Sequence, residues 1–249
     1  MRKGIRAGAA ATWLRVLLCL CCAYPSLAPA ATPAAESRRI AWLWDGAGVP
    51  AWSAGEVALV VRHVFLRGDK VLLRPRSSTP ALAPQARVIP VVHVQLSGGD
   101  PPRDLAHAQE TIVTAMLEAA RMGNAGWVQL DLEARPSQRA DYLALVREIR
   151  ARLPAATRLS VTALAWWCRD RRWLAPLAAD EVVPMYFRMG RDSARLRAIV
   201  AGQPRLLAAR CNAAAGFSMQ EPFAPEVTAR YPRTYWFDDL RWKTGAEEK

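Results

Sequence analysis

The residues best suited to chemistry in this 249-residue chain are two acids, Asp131 and Glu133, which close the run Gly126-Trp127-Val128-Gln129-Leu130-Asp131-Leu132-Glu133. Residues two apart on a strand point the same way and lie roughly 6–7 Å apart along the chain. Two carboxylates so placed at the mouth of an apolar fold repel each other and lose hydration, and both effects push one pKa upward. The product would be a carboxylic acid able to deliver a proton near neutral pH, as glycoside cleavage requires. The same spacing also suits two acids that merely end a strand, capping backbone groups or pairing with arginine. Spacing alone leaves both readings open.

Other residues support a binding cleft. Trp44, Trp166, Trp167 and Trp236 lie at or near the ends of apolar runs, and flat aromatic faces stack on the C–H faces of sugar rings. Each tryptophan taken singly serves equally well as packing. Asp45 follows Trp42-Leu43-Trp44 and either joins the site or caps the Gly46-Ala47-Gly48 turn. Met185-Tyr186-Phe187-Arg188 closes another run. Arg188 there would reach Asp131 or Glu133, holding a carboxylate ionised rather than leaving it a general acid. His63, His93 and His107 show no metal-ligand spacing, and neither a P-loop nor a Gly-x-Ser-x-Gly elbow occurs, so no metal or cofactor is expected.

Eight strand-like runs must position these groups: 40–45, 58–66, 88–96, 127–133, 159–164, 182–188, 206–211 and 234–238. Several are continuously apolar, as parallel strands buried on both faces are. Segment 71–75, after the turn Arg67-Gly68-Asp69-Lys70, predicts a small hairpin with the second run. Helices are predicted over 137–153, capped by Ser137 and stopped by Pro154, and from about 103 to 122. The connections after the first and seventh runs look loop-like. This alternation predicts a single compact (β/α)8 TIM-like barrel, with a doubly wound open sheet as the alternative. In such a barrel the working residues sit at the C-terminal ends of the strands.

Residues 1–31 read as a signal peptide. Arg2, Lys3, Arg6 and Arg15 precede a short apolar core, and small residues around Ser26-Leu27-Ala28-Pro29-Ala30-Ala31 offer overlapping cleavage sites. The core is far shorter than the ~20 residues a bilayer span needs. The barrel is therefore expected over 38–243 in a periplasmic or secreted protein, with no membrane span after cleavage. A lipid-anchored form remains an alternative. Four of the 34 basic residues lie in the signal, so the charge falls from +12 to about +8. That sign suits an anionic partner such as an acidic glycan, but the arginines are scattered and no nucleic-acid partner is expected. Cys168 and Cys211 alone remain after cleavage, either as a disulfide on the face of the strand ends or as two free thiols.

The fourth run resembles the fourth-strand signature D-G-x-D-x-D-x-E of glycoside hydrolase family 18, the chitinase-like barrels. Asp131-Leu132-Glu133 matches its last three positions, Gln129 stands where the first acid of D-x-D-x-E belongs, and Gly126 takes the place of the leading Asp. Met185-Tyr186-Phe187 resembles the Met-x-Tyr run of the same barrels. The resemblance implies that Glu133 protonates the leaving oxygen while Asp131 assists an acetamido group acting as nucleophile. Gln129 removes a charge that helps tune the pair. The chain also resembles a bacterial family known as domain of unknown function 3142. That likeness runs through Val91-Val92-His93-Val94, Gln129 to Glu133, Leu159 to Cys168, Asp180 to Gly190, Arg210-Cys211-Asn212 and Gly216-Phe217-Ser218. It implies a barrel and no particular activity. Its second acid is usually Asp, so Glu133 is either a drift toward the chitinase arrangement or a neutral swap.

Together these readings predict an exported, carbohydrate-active barrel that binds a polysaccharide or oligosaccharide. The rival is a catalytically silent glycan-binding or envelope-scaffold barrel, and a third reading is polyanion binding by charge alone, with steep salt dependence.

Overall fold

The computed structural model describes residues 38–53, 55–96 and 105–238. The predicted signal segment lies outside the described residues. Nine strands form one sheet: β1 (Arg38–Leu43), β2 (Glu56–Arg67), β3 (Lys70–Pro75), β4 (Arg87–Leu96), β5 (Trp127–Leu132), β6 (Arg158–Leu164), β7 (Glu181–Met185), β8 (Ala214–Ser218) and β9 (Arg233–Phe237). Every pairing except β2–β3 is parallel, and β1 pairs with both β9 and β2, which closes eight strands into a barrel. β3 folds back on β2 as an antiparallel hairpin, as the Gly68-Asp69 turn predicts.

Strand alternation divides the core in two. Ile40, Trp42, Ala58, Val60, Ile89, Val91, Val183, Tyr235 and Phe237 fill the barrel. Their neighbours in sequence face outward and pack under α1 (Gln109–Ala120), α2 (Arg139–Arg152), the four-residue α3 (Arg171–Leu174), α4 (Ser193–Gly202) and the four-residue α5 (Pro225–Thr228). α2 begins two residues later than predicted. A 3-10 turn, Pro136–Gln138, precedes it, and the Gln138 amide oxygen, rather than the Ser137 side chain, accepts the Arg135 N–H at 3.0 Å.

The seventh strand is displaced from its predicted place. Residues 206–211 lie in and between two 3-10 turns, and the strand is Ala214–Ser218, small residues except for Phe217 and without β-branching. Small residues fit there because the neighbouring strand's ring crowds the wall: a Cβ on Gly216 would lie 3.0 Å from Phe237. Cys211 therefore precedes its strand instead of ending it. The Cys168–Cys211 disulfide has formed, with Cα atoms 6.0 Å apart, and both residues are buried in the layer between barrel and helices rather than at the rim.

β2 carries a bulge between Val60 and Arg62. A one-residue bulge exchanges the inward and outward sets of everything after it. Arg62 is thereby turned outward to Glu118 of α1 (3.2 Å). His63 turns inward, in register with His93.

A disulfide spanning 43 residues constrains the unfolded chain. Replacing both cysteines with alanine is expected to cost about 2–4 kcal/mol. Thermal unfolding with and without reductant checks this: the wild type should fall to the variant's midpoint on reduction.

Candidate active site

The barrel interior is built in levels. At its N-terminal end Arg38 and Arg233 meet Glu56 (3.1 and 3.6 Å), and Arg233 also meets Glu181 at 2.7 Å. Above this a hydrogen-bonded column crosses the barrel. The Trp42 indole N–H donates to Gln129 Oε1 (2.8 Å), Gln129 Nε2 to Ser160 Oγ (3.0 Å), and Ser160 Oγ to Glu181 Oε2 (2.8 Å). Tyr235 donates to the same Glu181 oxygen at 2.7 Å. Gln129 and Ser160 are fully buried, so these bonds replace all the water they would otherwise hold.

One level higher lies Asp131, 5% exposed. Thr162 Oγ1 donates to its Oδ1 (2.6 Å), and His93 Nδ1 donates to its Oδ2 (2.7 Å). The His93 ring stands edge-on to Trp44 (4.8 Å between centroids) and to His63 (5.7 Å). His63 is buried and its pKa is pushed down to about 4, first by lost hydration and then by the charges of His93 and Arg74. Its Nε2 lies 3.6 Å from Asp45.

Glu133 follows at the C-terminal mouth, one residue beyond the end of β5, and is exposed. Its side chain opens into a cleft of about 730 Å³. Lost hydration raises its pKa and the charge of Asp131 raises it further. His93 and then Arg188 pull it down by less, and the net direction is upward. Both acids line the cleft together with Trp44, Trp166, Met185, Phe187 and Arg188. The two carboxylates thus occupy contrasting environments: Asp131 is buried and bonded to Thr162 and His93, and Glu133 is exposed to the cleft with its pKa raised.

Four residues picked from the sequence for this site lie elsewhere in the fold. Trp236 faces outward on β9, where it and Trp52 flank the Arg39 guanidinium at 4.6 and 4.5 Å. Trp167 is fully buried in the outer layer, stacked on Trp173 at 4.1 Å. Tyr186 is buried beside Phe217 and Tyr231. Asp45 is anchored to the segment after β3, accepting from Ser77 N (3.0 Å) and Ser77 Oγ (2.8 Å). These hydrogen bonds and the charges of Arg76 and His63 outweigh its lost hydration and lower its pKa.

The sequence did not single out Thr162, and it considered His93 only for metal-ligand spacing. The signal for both was inward parity: Ser160-x-Thr162 and Val91-x-His93 share levels with Gln129-x-Asp131. Phe187, Phe237 and Arg135 also line the cleft and were not singled out as site residues. Among the described residues no cluster of three or more His, Cys, Asp or Glu is placed to hold a metal, and no helix is long and apolar enough to cross a membrane.

The barrel is similar in fold to a glycoside hydrolase family 18 chitinase from Pseudoalteromonas aurantia, with a TM-score of 0.53 and 14% identity over 84% of this chain and 97% of the chitinase chain. The spore cortex-lytic enzyme SleL of Bacillus cereus matches with a TM-score of 0.45 and 13% identity, over 74% of this chain and 50% of its own. At such identities the likeness is one of fold. No family model and no curated protein matches the chain. The likeness to domain of unknown function 3142 therefore rests on the runs quoted above.

Two measurements check this interior. Gln129→Leu removes the acceptor of the Trp42 N–H and the donor to Ser160, and leaving such groups buried and unpaired should cost about 2–4 kcal/mol in chemical denaturation. His63 binds its proton more weakly folded than unfolded, so its contribution to stability is complete above the ordinary pKa of 6.5 and is lost as pH falls through about 4. His63→Gln should flatten the unfolding free energy across that window.

Proposed function

We propose that this protein is an exported glycoside hydrolase that cleaves an N-acetylated polysaccharide, with Glu133 as the general acid and Asp131 as the residue that steadies the acetamido group. The observation that carries this reading is the contrast between the two acids. Glu133 is exposed at the mouth of an aromatic-lined cleft with its pKa raised, first by partial loss of hydration and then by the charge of Asp131, while Asp131 is buried below it and bonded to His93 and Thr162.

In the proposed reaction the acetamido carbonyl oxygen attacks the anomeric carbon. The glycosidic C–O bond breaks, and its oxygen takes the Glu133 proton. The positive charge on the resulting ring is countered by Asp131, whose two oxygens retain lone pairs after accepting from Thr162 and His93. Water then enters, Glu133 takes its proton, and the hydroxyl opens the ring, restoring the acetamido group and the acid. Trp44 and Trp166 are half-buried on the cleft wall and offer faces for sugar rings. The residues of the cleft suffice for these steps without a cofactor.

The second reading, a glycan-binding barrel without chemistry, is favoured by Gln129. A neutral amide stands where the chitinase-like signature has its first acid, and its hydrogen bonds are already committed to Trp42 and Ser160.

Sugar release from N-acetylated glycans and peptidoglycan, with deacetylated controls, decides between the two. The wild type should release sugar, and Glu133→Gln should lower the rate by at least about 100-fold. Because the acid must be protonated, activity should decline on the alkaline side at a pH above the ordinary glutamate range, as the raised pKa of Glu133 requires. Binding without release, equal in both proteins, would leave the silent barrel.

A further inference from the structure

The barrel wall does not end at one height. β1 stops at Leu43 and β5 at Leu132, whereas β2 runs on to Arg67 and β4 to Leu96. β3 takes the place beside β2 that β1 has left: β1 pairs with Val57, Ala58 and Leu59, and β3 with the stretch from Arg62 to Arg67. Arg76, just after β3, donates to the carbonyls of Leu43 and Val60 (3.3 and 3.1 Å) and secures it there. Three strands, β3, β2 and β4, thus rise above the mouth on one side.

The bulge in β2 decides which face of this wall looks over the cleft. It turns His63 into the barrel, and Phe65, two residues on, turns with it. The Phe65 ring lies 5.8 Å from the His63 ring and 15° from its plane. His63 in turn lies 5.7 Å from His93, which lines the cleft. Leu72 of β3 and Gln95 of β4 are the residues paired with Phe65, and residues paired across strands share a face. Gln95 also lines the cleft, so the two surfaces are continuous. Gln95 is exposed, Phe65 is half-buried, and Leu72, at 62%, is the most exposed large apolar side chain among the described residues. Arg74, paired with His63 in the row below, is engaged by Asp45 at 3.5 Å.

The patch is small. Three strands and two rows of residues cover on the order of 100 Å². A protein partner needs ~800 Å² on each side. One or two sugar rings fit such an area, their C–H groups on an aromatic face and their hydroxyls on an amide.

We infer that this raised wall is a second glycan-binding surface, on which Phe65, Leu72 and Gln95 hold sugar units of the same chain beyond the bond to be cleaved. This rests on the glycan reading of the cleft. It makes the preferred substrate a long chain, because a short one fills the cleft without reaching the wall.

Calorimetry on the Glu133→Gln protein, which should hold substrate without cleaving it, tests this. The probes are the disaccharide and the hexasaccharide of N-acetylglucosamine, and the same two lengths of peptide-free peptidoglycan strand. At least one hexasaccharide should bind about tenfold or more tightly than its disaccharide. Phe65→Ala and Leu72→Ser should each reduce that length preference several-fold and leave disaccharide affinity unchanged, whereas Phe65→Tyr should keep it. Leu72 is exposed, so Leu72→Ser should retain the wild-type melting temperature, which separates lost contact from lost fold. Leu73→Ser, on the other face of the same strand, should keep the preference. Equal affinity for both lengths overturns the inference and leaves the glycan reading standing. So does a preference that survives in Phe65→Ala and Leu72→Ser, or one that Leu73→Ser removes as well. No binding by any of the four probes removes both.

Discussion

The inside of an eight-stranded barrel has room for little more than one side chain per strand at each level. Polar groups placed there give up water and must satisfy one another. The column from Trp42 through Gln129 and Ser160 to Glu181 meets this demand in one direction only. An indole N–H can only donate and an ionised carboxylate can only accept, so the amide and hydroxyl between them have no choice of orientation. An acid at position 129 would need the single Ser160 proton that Glu181 now receives, and would bring a second buried carboxylate close to the first. The interior negative charge therefore resides on β7, at Glu181, where Arg233 and Tyr235 also hold it.

The level above inherits that order. With Gln129 neutral, Asp131 has an imidazole and a hydroxyl as partners instead of another acid, and its two oxygens are directed by different strands. Glu133, just beyond the strand, is exposed at the cleft, where partial loss of hydration and then the repulsion of Asp131 raise its pKa. Two carboxylates two residues apart thus acquire different duties from their surroundings. The bulge in β2 contributes from the far side, because it brings His63 rather than Arg62 into the barrel next to His93. A guanidinium at that level would have competed for Asp131.

Outside the strands the helical layer is uneven. α1, α2 and α4 are full helices, α3 and α5 are single turns, and β2 is followed by a hairpin. The thin region around α3 is reinforced by other means. Trp166, Trp167 and Trp173 pack with Tyr142, and the disulfide joins the turn after β6 to the segment before β8. Arg210 adds hydrogen bonds to the carbonyls of Leu174, Leu177 and Ala179 across the same region. Trp166 is the member of this cluster that also reaches the cleft, so the reinforced wall and the candidate binding surface are continuous.

Much of this was legible in the residues themselves. Apolar runs separated by helical segments identify buried parallel strands, because a strand covered on both faces has no polar side to show. Asp131 and Glu133, two apart at the end of an apolar run, both line the cleft, and Cys168 and Cys211, the two cysteines beyond residue 31, form a disulfide. What the sequence could not determine is which face each strand turns inward. Parity depends on register and on a bulge, and these are settled by contacts between segments far apart in the chain. Only the folded barrel moved Trp167, Tyr186 and Trp236 away from the cleft, placed the seventh strand over Ala214–Ser218 where a neighbouring ring demands small residues, and brought His93 and Thr162 to Asp131.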